Sequence, residues 1–404
     1  MVMKLSEELM RRGFVAQNTF DKASDLDEQK RTFYIGFDPS DSSLTIGNLA
    51  SIMMAKVFMR YGYKPIFLVG GATGMIGDPK DTEERRTKTL DEIEKNKAGI
   101  RAQLEQILGD EVKLVDNYDW FKNVTVLPFL REVGKQFSMT QLLDRDFVKS
   151  RIGEGGSGVS YAEFSYSLIQ GYDFLHLYRE YGATLQLCGT DQFGNSVSGM
   201  HLIKRLENGQ AHVWSCPLII DKASGRKFGK SEGNAVWLDP ERTTPYEYYQ
   251  FWLNTNDEMV GDLLKVYTEI DPTEIDAILQ RHSENPSART AQKTLALAAT
   301  EILHGHEMAA SVARVSDVLF GDKDVHDLPA DGLELLSKVI PTVHRGTTVV
   351  ETLVKSGLAS SNGEAQRLIK QNAISINREK VTADTEVSEL SLVKKGKNSF
   401  VLVR

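Results

Sequence analysis

The feature that most restricts the fold of this chain is an apolar strand that breaks into a turn and restarts as a helix. Thr32–Phe37 reads as a short buried strand, Asp38-Pro39-Ser40 interrupts it, and Gly47–Tyr61 follows with helical periodicity. The pattern repeats. Pro65–Val69 is a second apolar run, ending in Gly70-Gly71-Ala72-Thr73-Gly74 and Gly77-Asp78-Pro79. Asp91–Leu108 is helical by period and Val112–Val115 is a third strand. Tyr161–Tyr181 is a long amphipathic helix before the strand Thr184–Cys188, and Gly194–Leu206 a helix before the strand His212–Ile219. Strands alternating with helices predict an α/β fold with a doubly wound parallel sheet, with ligands at the carboxyl ends of its strands.

Beyond about residue 235 the strands give way to helices over Tyr246–Leu253, Val260–Glu269, Pro272–Gln280 and Ala288–Leu319. A polar stretch from Gly321 to Gly332 reads as linker. From Thr347 a small helix-and-strand module follows, with helices Val349–Ser356 and Asn362–Lys370, the segment Ala373–Ile376 and a strand Ser399–Val403. A chain of 404 residues exceeds one hydrophobic core. The expected division is a Rossmann-like domain over 1–220, a lysine-bearing loop with an all-α domain over 221–325, a linker over 326–341 and a small α+β domain over 342–404.

Charge is uneven. The whole chain carries −8, yet Thr342–Arg404 holds ten Lys and Arg against six Asp and Glu, leaving −12 on the remainder. Such a balance opposes broad, non-specific nucleic-acid binding and is compatible with a local polyanion contact in the tail or with plain surface asymmetry. Two cysteines, Cys188 and Cys216, suggest neither a disulfide framework nor a metal cluster and fit a reducing cytoplasm. No run approaches the ~18 apolar residues of a membrane span, and Met1–Arg12 has no signal-peptide apolar core.

Two segments about 180 residues apart suggest chemistry. Ser40 to Asn48 leads into a helix N-terminus, where backbone N–H groups and the helix dipole favour an anion. Gly36 and Gly47 would let a nucleotide approach the backbone. Lys227-Phe228-Gly229-Lys230-Ser231 offers two cations and a hydroxyl on a loop able to neutralise a leaving pyrophosphate. Each alone also fits a ligand-free turn or a charged hairpin. Together they point to ATP activation of a carboxylic acid. Tyr166, Gln170 and Asp173 stand at i, i+4 and i+7, one polar helical face that could line a pocket or face water. Asp191 and Gln192 follow Gly189-Thr190 at a strand end, a position suited to ribose hydroxyls.

These residues resemble a known family. Thr45-Ile46-Gly47-Asn48 and Lys227-Phe228-Gly229-Lys230-Ser231 correspond to the two signatures of class I aminoacyl-tRNA synthetases, the second in the form typical of bacterial-type tyrosyl-tRNA synthetases. Tyr34–Pro39, Leu68–Pro79, Asn117–Trp120, Glu163–Leu177 and Gly189–Asn195 are similar to tyrosyl-enzyme segments in order and spacing. The resemblance implies ligation of L-tyrosine to tRNA(Tyr) through tyrosyl-adenylate, with ATP as substrate, Mg²⁺ arriving with ATP, and no protein-held metal. It implies that Tyr34 and Asp173 bind the phenol, Tyr166, Gln170 and Asp78 the ammonium, and that Gln192 lies near the carboxylate. Asp191 would contact ribose, and Gly36, Asp38, Ser40, Gly47, Gly189 and Lys230 would join it in binding ATP. Thr45, Asn48, Arg86, Lys227, Lys230 and Ser231 would carry the catalysis.

The resemblance further implies a homodimer formed through an insertion over about 120–160, with Phe129, Leu130, Phe137, Leu142 and Leu143 as candidate contacts that also suit a core. The tail resembles an S4 RNA-binding domain, with Arg367, Lys370, Arg378 and Lys380 toward RNA. Several positions depart from the family pattern. Thr45 and Asn48 replace two histidines, Thr82 a nearby lysine, Phe193 a tryptophan, and Ile35 a polar residue. The Thr45 hydroxyl is expected to donate to an ATP phosphate. Because Thr-Ile-Gly-Asn also occurs in tryptophanyl-tRNA synthetases, a tryptophan–tRNA ligase is one alternative. A catalytically weak RNA-binding paralogue is the other. Tyr34, Asp173 and the tail oppose the first, and the retained Lys227, Lys230, Asp78 and Asp191 oppose the second.

Overall fold

The computed structural model describes residues 3–79, 86, 88–109, 112–143, 146–152, 156–222, 225, 227–228, 230–231 and 234–404. Two compact units divide it. The first comprises Met1–Thr243 with Thr255–Ala291, and the second Thr244–Asn254 with Gln292–Arg404. The helices read over Val260–Glu269 and Pro272–Gln280 therefore belong with the sheet-bearing unit.

The first unit is built on a six-stranded sheet: β1 (Gln17–Asn18), β2 (Thr32–Phe37), β3 (Lys64–Val69), β4 (Lys113–Asp116), β5 (Ala183–Gly189) and β6 (His212–Cys216). Its order is β1-β6-β5-β2-β3-β4. Five strands are parallel, and β1 adds an antiparallel edge on β6 that the sequence reading does not contain. The order reverses between β2 and β5, so their carboxyl ends open the crevice where doubly wound sheets hold ligands. Helices α1 (Leu5–Arg12), α2 (Ile46–Arg60), α3 (Gly71–Ile76) and α4 (Leu90–Leu108) precede the long helix Tyr161–Tyr181, whose predicted bounds hold to the residue. Ser160 caps it by accepting from Glu163 N, and Gly182, in the left-handed conformation, ends it.

The expected strand through Ile219 stops at Cys216. A ribbon then crosses the crevice mouth. Lys230–Ser231 pairs antiparallel with Asn234–Ala235, and Thr45 bridges Trp237. Ile46 N donates to Val236 O at 3.1 Å and Leu238 N to Leu44 O at 2.9 Å. Arg242 lies 3.3 Å over the Trp237 ring and 2.6 Å from Asp41.

In the second unit the expected helix Ala288–Leu319 is two helices, Thr290–His304 and His306–Phe320. Gly305, at φ 80°, breaks it. The expected linker contains the helix Ala330–Val339, amphipathic enough to bury Leu336. A five-stranded sheet orders Glu379–Lys380, Ile374–Ile376, Ser391–Lys395, Ser399–Val403 and Thr342–Val343. Phe400 and Leu402 enter one core with Val315, Leu319 and Leu336, so the tail packs into the helices of its own unit.

Arg12 shows how α1 is anchored in the first unit. It is 2% exposed and donates to Glu8 Oε1 at 2.7 Å and to the carbonyls of Lys265, Thr268 and Ile270 at 2.8–2.9 Å. Glu8 also accepts from Arg60 and Tyr61. Replacing the guanidinium takes one partner from a buried carboxylate and orphans three carbonyls. Arg12→Met should lower stability by about 3–5 kcal/mol in urea unfolding, and a loss under ~1 kcal/mol would show that these acceptors find water instead.

Candidate active site

A cavity of about 610 Å³ opens at the carboxyl ends of β2 and β5. Of the sequence-predicted residues, Tyr34, Gly36, Asp38, Ser40, Thr45, Gly47, Asn48, Asp78, Tyr166, Gln170, Asp173, Gly189, Asp191, Gln192 and Lys227 all line it. The volume suits an amino acid joined to a nucleotide.

The deep end is polar and buried. Asp173 is 2% exposed, and its carboxylate accepts from Asn117 Nδ2 at 3.1 Å and Trp120 Nε1 at 2.9 Å. Burial pushes its pKa well above the ordinary carboxylate range, against the pull of those two donors. Tyr34, tilted against Phe174 at 5.1 Å, buries a hydroxyl without a partner beside it. Burial, then the nearby Asp173 charge, raises that phenol well above its usual value.

Hydrogen bonds continue across the floor. Asn117 Nδ2 also donates to Thr73 Oγ1 at 3.1 Å, and Thr73 Oγ1 donates to Asp38 Oδ1 at 2.7 Å. Asp38 Oδ2 accepts from Tyr166 at 2.7 Å. Asp173 and Tyr166, two turns apart on one helix, are thus also joined through a side chain of α3 and those of the residues that follow β2 and β4. Gly70 makes this possible, because a Cβ there would lie 2.1 Å from Thr73 Oγ1 and 2.5 Å from Asp38 Oδ1. The next glycine is equally constrained, since Gly71 N donates to Asp116 Oδ1 and a Cβ would lie 2.3 Å from that oxygen.

The middle of the cavity holds acceptors suited to a cation. Gln192 Nε2 donates to Asp78 Oδ2 at 2.8 Å, and Gln170 Oε1 is buried without a partner. The Tyr166 proton is committed to Asp38, leaving its lone pairs to accept. Among the described residues no group of three or more His, Cys, Asp or Glu could hold a metal ion.

At the outer end Lys227 Nζ lies 3.3 Å from Asp191 Oδ2. The expected Thr45-to-phosphate donation meets a different arrangement, in which the Thr45 hydroxyl donates to Asn48 Oδ1 at 3.1 Å. Arg86 is outside the cavity, exposed and 2.6 Å from Glu92. Lys230 and Ser231 are described only as backbone of their strand. Gly229 and Thr82 lie outside the described residues.

Sequence reasoning found the polar helix face but not Thr73, Asn117 or Trp120 as its supports. In the tail, Arg367 and Lys370 are exposed, and their side chains make no hydrogen bond among the described residues. Arg378 instead donates to the carbonyls of Gly321 and Lys323, and Lys380 to that of Asn372, so these two have structural partners.

Comparison with known proteins agrees with the geometry. The model of the tRNA synthetases class I (W and Y) matches residues 26–321, and that of the tyrosine–tRNA ligase SYY-like C-terminal domain residues 333–404. A tyrosine–tRNA ligase of Lactococcus lactis is 41% identical over 422 aligned positions, covering 99% of this chain and 100% of its own. That of Geobacillus stearothermophilus is 40% identical with full coverage of both. A C-terminally truncated mitochondrial tyrosyl-tRNA synthetase of Aspergillus nidulans superposes with a TM-score of 0.71 at 27% identity, over 78% of this chain and 94% of its own. The chain belongs to the tyrosine–tRNA ligase family of the class I tRNA synthetases.

Proposed function

We infer that the chain is a tyrosine–tRNA ligase, activating L-tyrosine with ATP and transferring it to tRNA(Tyr). The observation that carries this is the pairing of a buried, unpartnered Tyr34 hydroxyl with the buried Asp173 carboxylate at the cavity floor. A phenol entering there donates to Asp173 and meets Tyr34. The substrate ammonium lies among Asp78, Gln170 and the Tyr166 oxygen, and its carboxylate near Gln192. A carboxylate oxygen attacks the α-phosphorus, the bond to the β-phosphate breaks, and pyrophosphate leaves toward Lys227 and Lys230. Asp191 takes the ribose. A terminal tRNA ribose hydroxyl then attacks the carbonyl, AMP departs, and the hydroxyl proton is lost to solvent. Positioning and charge supply the catalysis, without a covalent protein intermediate. Magnesium enters as MgATP, bound by phosphate and water oxygens. Arg86 joins only by leaving Glu92.

The insertion supports a homodimer. Val126 and Leu127 are 71% and 79% exposed, beside an apolar groove lined by Phe121, Val124, Phe129 and Tyr161. Leu130 and Leu143 are exposed as well, whereas Phe129 and Phe137 pack on the core. Among the described residues no helix is long and apolar enough to cross a membrane. With two free buried cysteines this fits the proposed cytoplasmic setting.

Amino-acid-dependent pyrophosphate–ATP exchange tests the reading directly. Tyrosine should support exchange and tryptophan should not. Exchange driven by tryptophan, or by no amino acid, would overturn it.

The pocket floor yields a pH dependence. Because the folded pKa of Asp173 is raised, its charge costs stability above that pKa, and the cost vanishes below the unfolded value. For binding the sign is opposite, since protonation removes the charged acceptor. Tyrosine affinity should weaken as pH falls, over a range above that of an ordinary carboxylate, while phenylalanine affinity stays flat. Asp173→Asn should remove the dependence, and an unchanged profile in that variant would assign it elsewhere.

In the tail, the Arg367→Glu, Lys370→Glu double variant should weaken tRNA binding and reduce the slope of log K against log salt by roughly 1–2, leaving exchange at the parent rate. An unchanged slope would remove these residues from the RNA surface.

A further inference from the structure

A buried ion pair stands outside the cavity. Lys97 of α4 and Asp116 at the end of β4 are 7% and 6% exposed, and Lys97 Nζ lies 2.6 Å from Asp116 Oδ2. Neither residue lines the cavity. The other oxygen, Asp116 Oδ1, accepts from Gly71 N at 3.1 Å and from Tyr118 N at 2.9 Å. Asn117, the next residue, accepts from Ala72 N at 2.7 Å and donates to Asp173 Oδ2 at 3.1 Å. The first two N–H groups of α3 are therefore held by consecutive side chains. Two residues beyond that helix stands Asp78, bonded to Gln192. Lys97 Nζ is also 2.6 Å from Glu94 Oε1, whose side chain is 66% exposed. Burial opposes the charge on the lysine, but the hydrogen bonds to Asp116 and Glu94 outweigh it and raise its pKa above the usual value.

We propose that Lys97 and Asp116 are positioning residues for tyrosine recognition: the Asp116 carboxylate holds α3 in place, and the Lys97 ammonium balances a charge that would otherwise act on the phenol acceptor Asp173. This role deepens the tyrosine reading and rests on it. A carboxylate holds two N–H donors more firmly than a neutral amide, yet an unbalanced charge there would oppose a second one on the floor. Burial is the largest influence on Asp173 and raises its pKa. Asn117 and Trp120 pull it down, and the charges of Asp38 and Asp116 push it up again. Asp78 faces the same floor, acting on Tyr166. The other titratable groups there are Tyr34, Tyr166, Tyr172 and the Cys188 thiol, all raised chiefly by burial, so they stay neutral where a carboxyl titrates. Lys97 thus acts on the floor through Asp116, without touching the substrate.

Three variants separate structure from charge. Asp116→Asn keeps an oxygen for Gly71 N and Tyr118 N but removes the charge, with Glu94 still partnering Lys97. Lys97→Met keeps the aliphatic stem and leaves the Asp116 charge unbalanced. The double variant removes both charges. Affinities of the intact chain for tyrosine and phenylalanine are measured by equilibrium dialysis over a pH series. The midpoint at which tyrosine affinity falls should move down by about 0.5–1 pH unit in Asp116→Asn and up by a similar amount in Lys97→Met, the size of one partly screened charge. The double variant should lie between Asp116→Asn and the parent. Phenylalanine affinity should stay flat with pH in all of them.

Midpoints that all coincide with the parent's, or shifts of the same sign in the two single variants, would overturn the proposal and leave the pair as a brace for α3 alone. So would a loss of tyrosine affinity in Asp116→Asn that is uniform across pH. If Lys97→Met does not fold, the sign of the Asp116→Asn shift and the position of the double variant above it still decide. Tyrosine affinity that keeps its pH dependence in Asp173→Asn would instead defeat the reading of Asp173 beneath the proposal.

Discussion

The site depends on a carboxylate taken out of water. Asp173 sits at the floor of the cavity with two N–H donors, and the placement of those donors fixes much of what surrounds it. Asn117 closes the end of β4 and also accepts from Ala72 N, while its own Nδ2 reaches Thr73. Trp120 approaches from the next turn and stacks on His176, one turn beyond Asp173. A buried charge with a missing donor is expensive, so helix α3, the end of β4 and the helix Tyr161–Tyr181 are held to one arrangement. The proposed selectivity for a phenol and the rigidity of the floor therefore share one cause.

Elements with strong local signals were legible in the sequence. The helix Tyr161–Tyr181 carries a Ser cap and a following Gly, and its bounds follow from them. The strand–turn–helix alternation fixed the parallel sheet and with it the position of the crevice. Most of the pocket list followed from the resemblance, and the cavity collects it. What failed to show was contact between distant segments. Nothing local marks Asn117 as a partner of Asp173, 56 residues away. Charge alone does not separate Arg367, which is solvated, from Arg378, which is spent on two carbonyls. A break at Gly305 was hidden by apolar periodicity that continues on both sides of it.

A second buried ion pair shows that the insertion is more than a surface addition. Arg151 lies bidentate on Glu163 at 2.7 and 2.9 Å, with both side chains almost wholly buried. Glu163 is in the first turn of the pocket helix, three residues before Tyr166 and seven before Gln170. Its carboxyl is held below its usual value, the Arg151 and Ser160 hydrogen bonds outweighing the opposing effect of burial. Removing one partner would leave an uncompensated charge at the start of that helix. The segment thus braces the helix along which the cavity-lining Tyr166, Gln170 and Asp173 are set out.

The ribbon across the crevice mouth has a geometric consequence. Lys230 pairs with Ala235, and Thr45 bridges Trp237, so the two signature segments attach to one short stretch of backbone only two residues apart. Their separation in space is set there, and the many residues between them in sequence have little say in it. One residue added between 235 and 237 would slide the lysine strand by about 3.3 Å relative to the Thr45 turn. It would also turn that strand's side chains to the opposite face. This interval acts as a ruler, and its length is part of the candidate site.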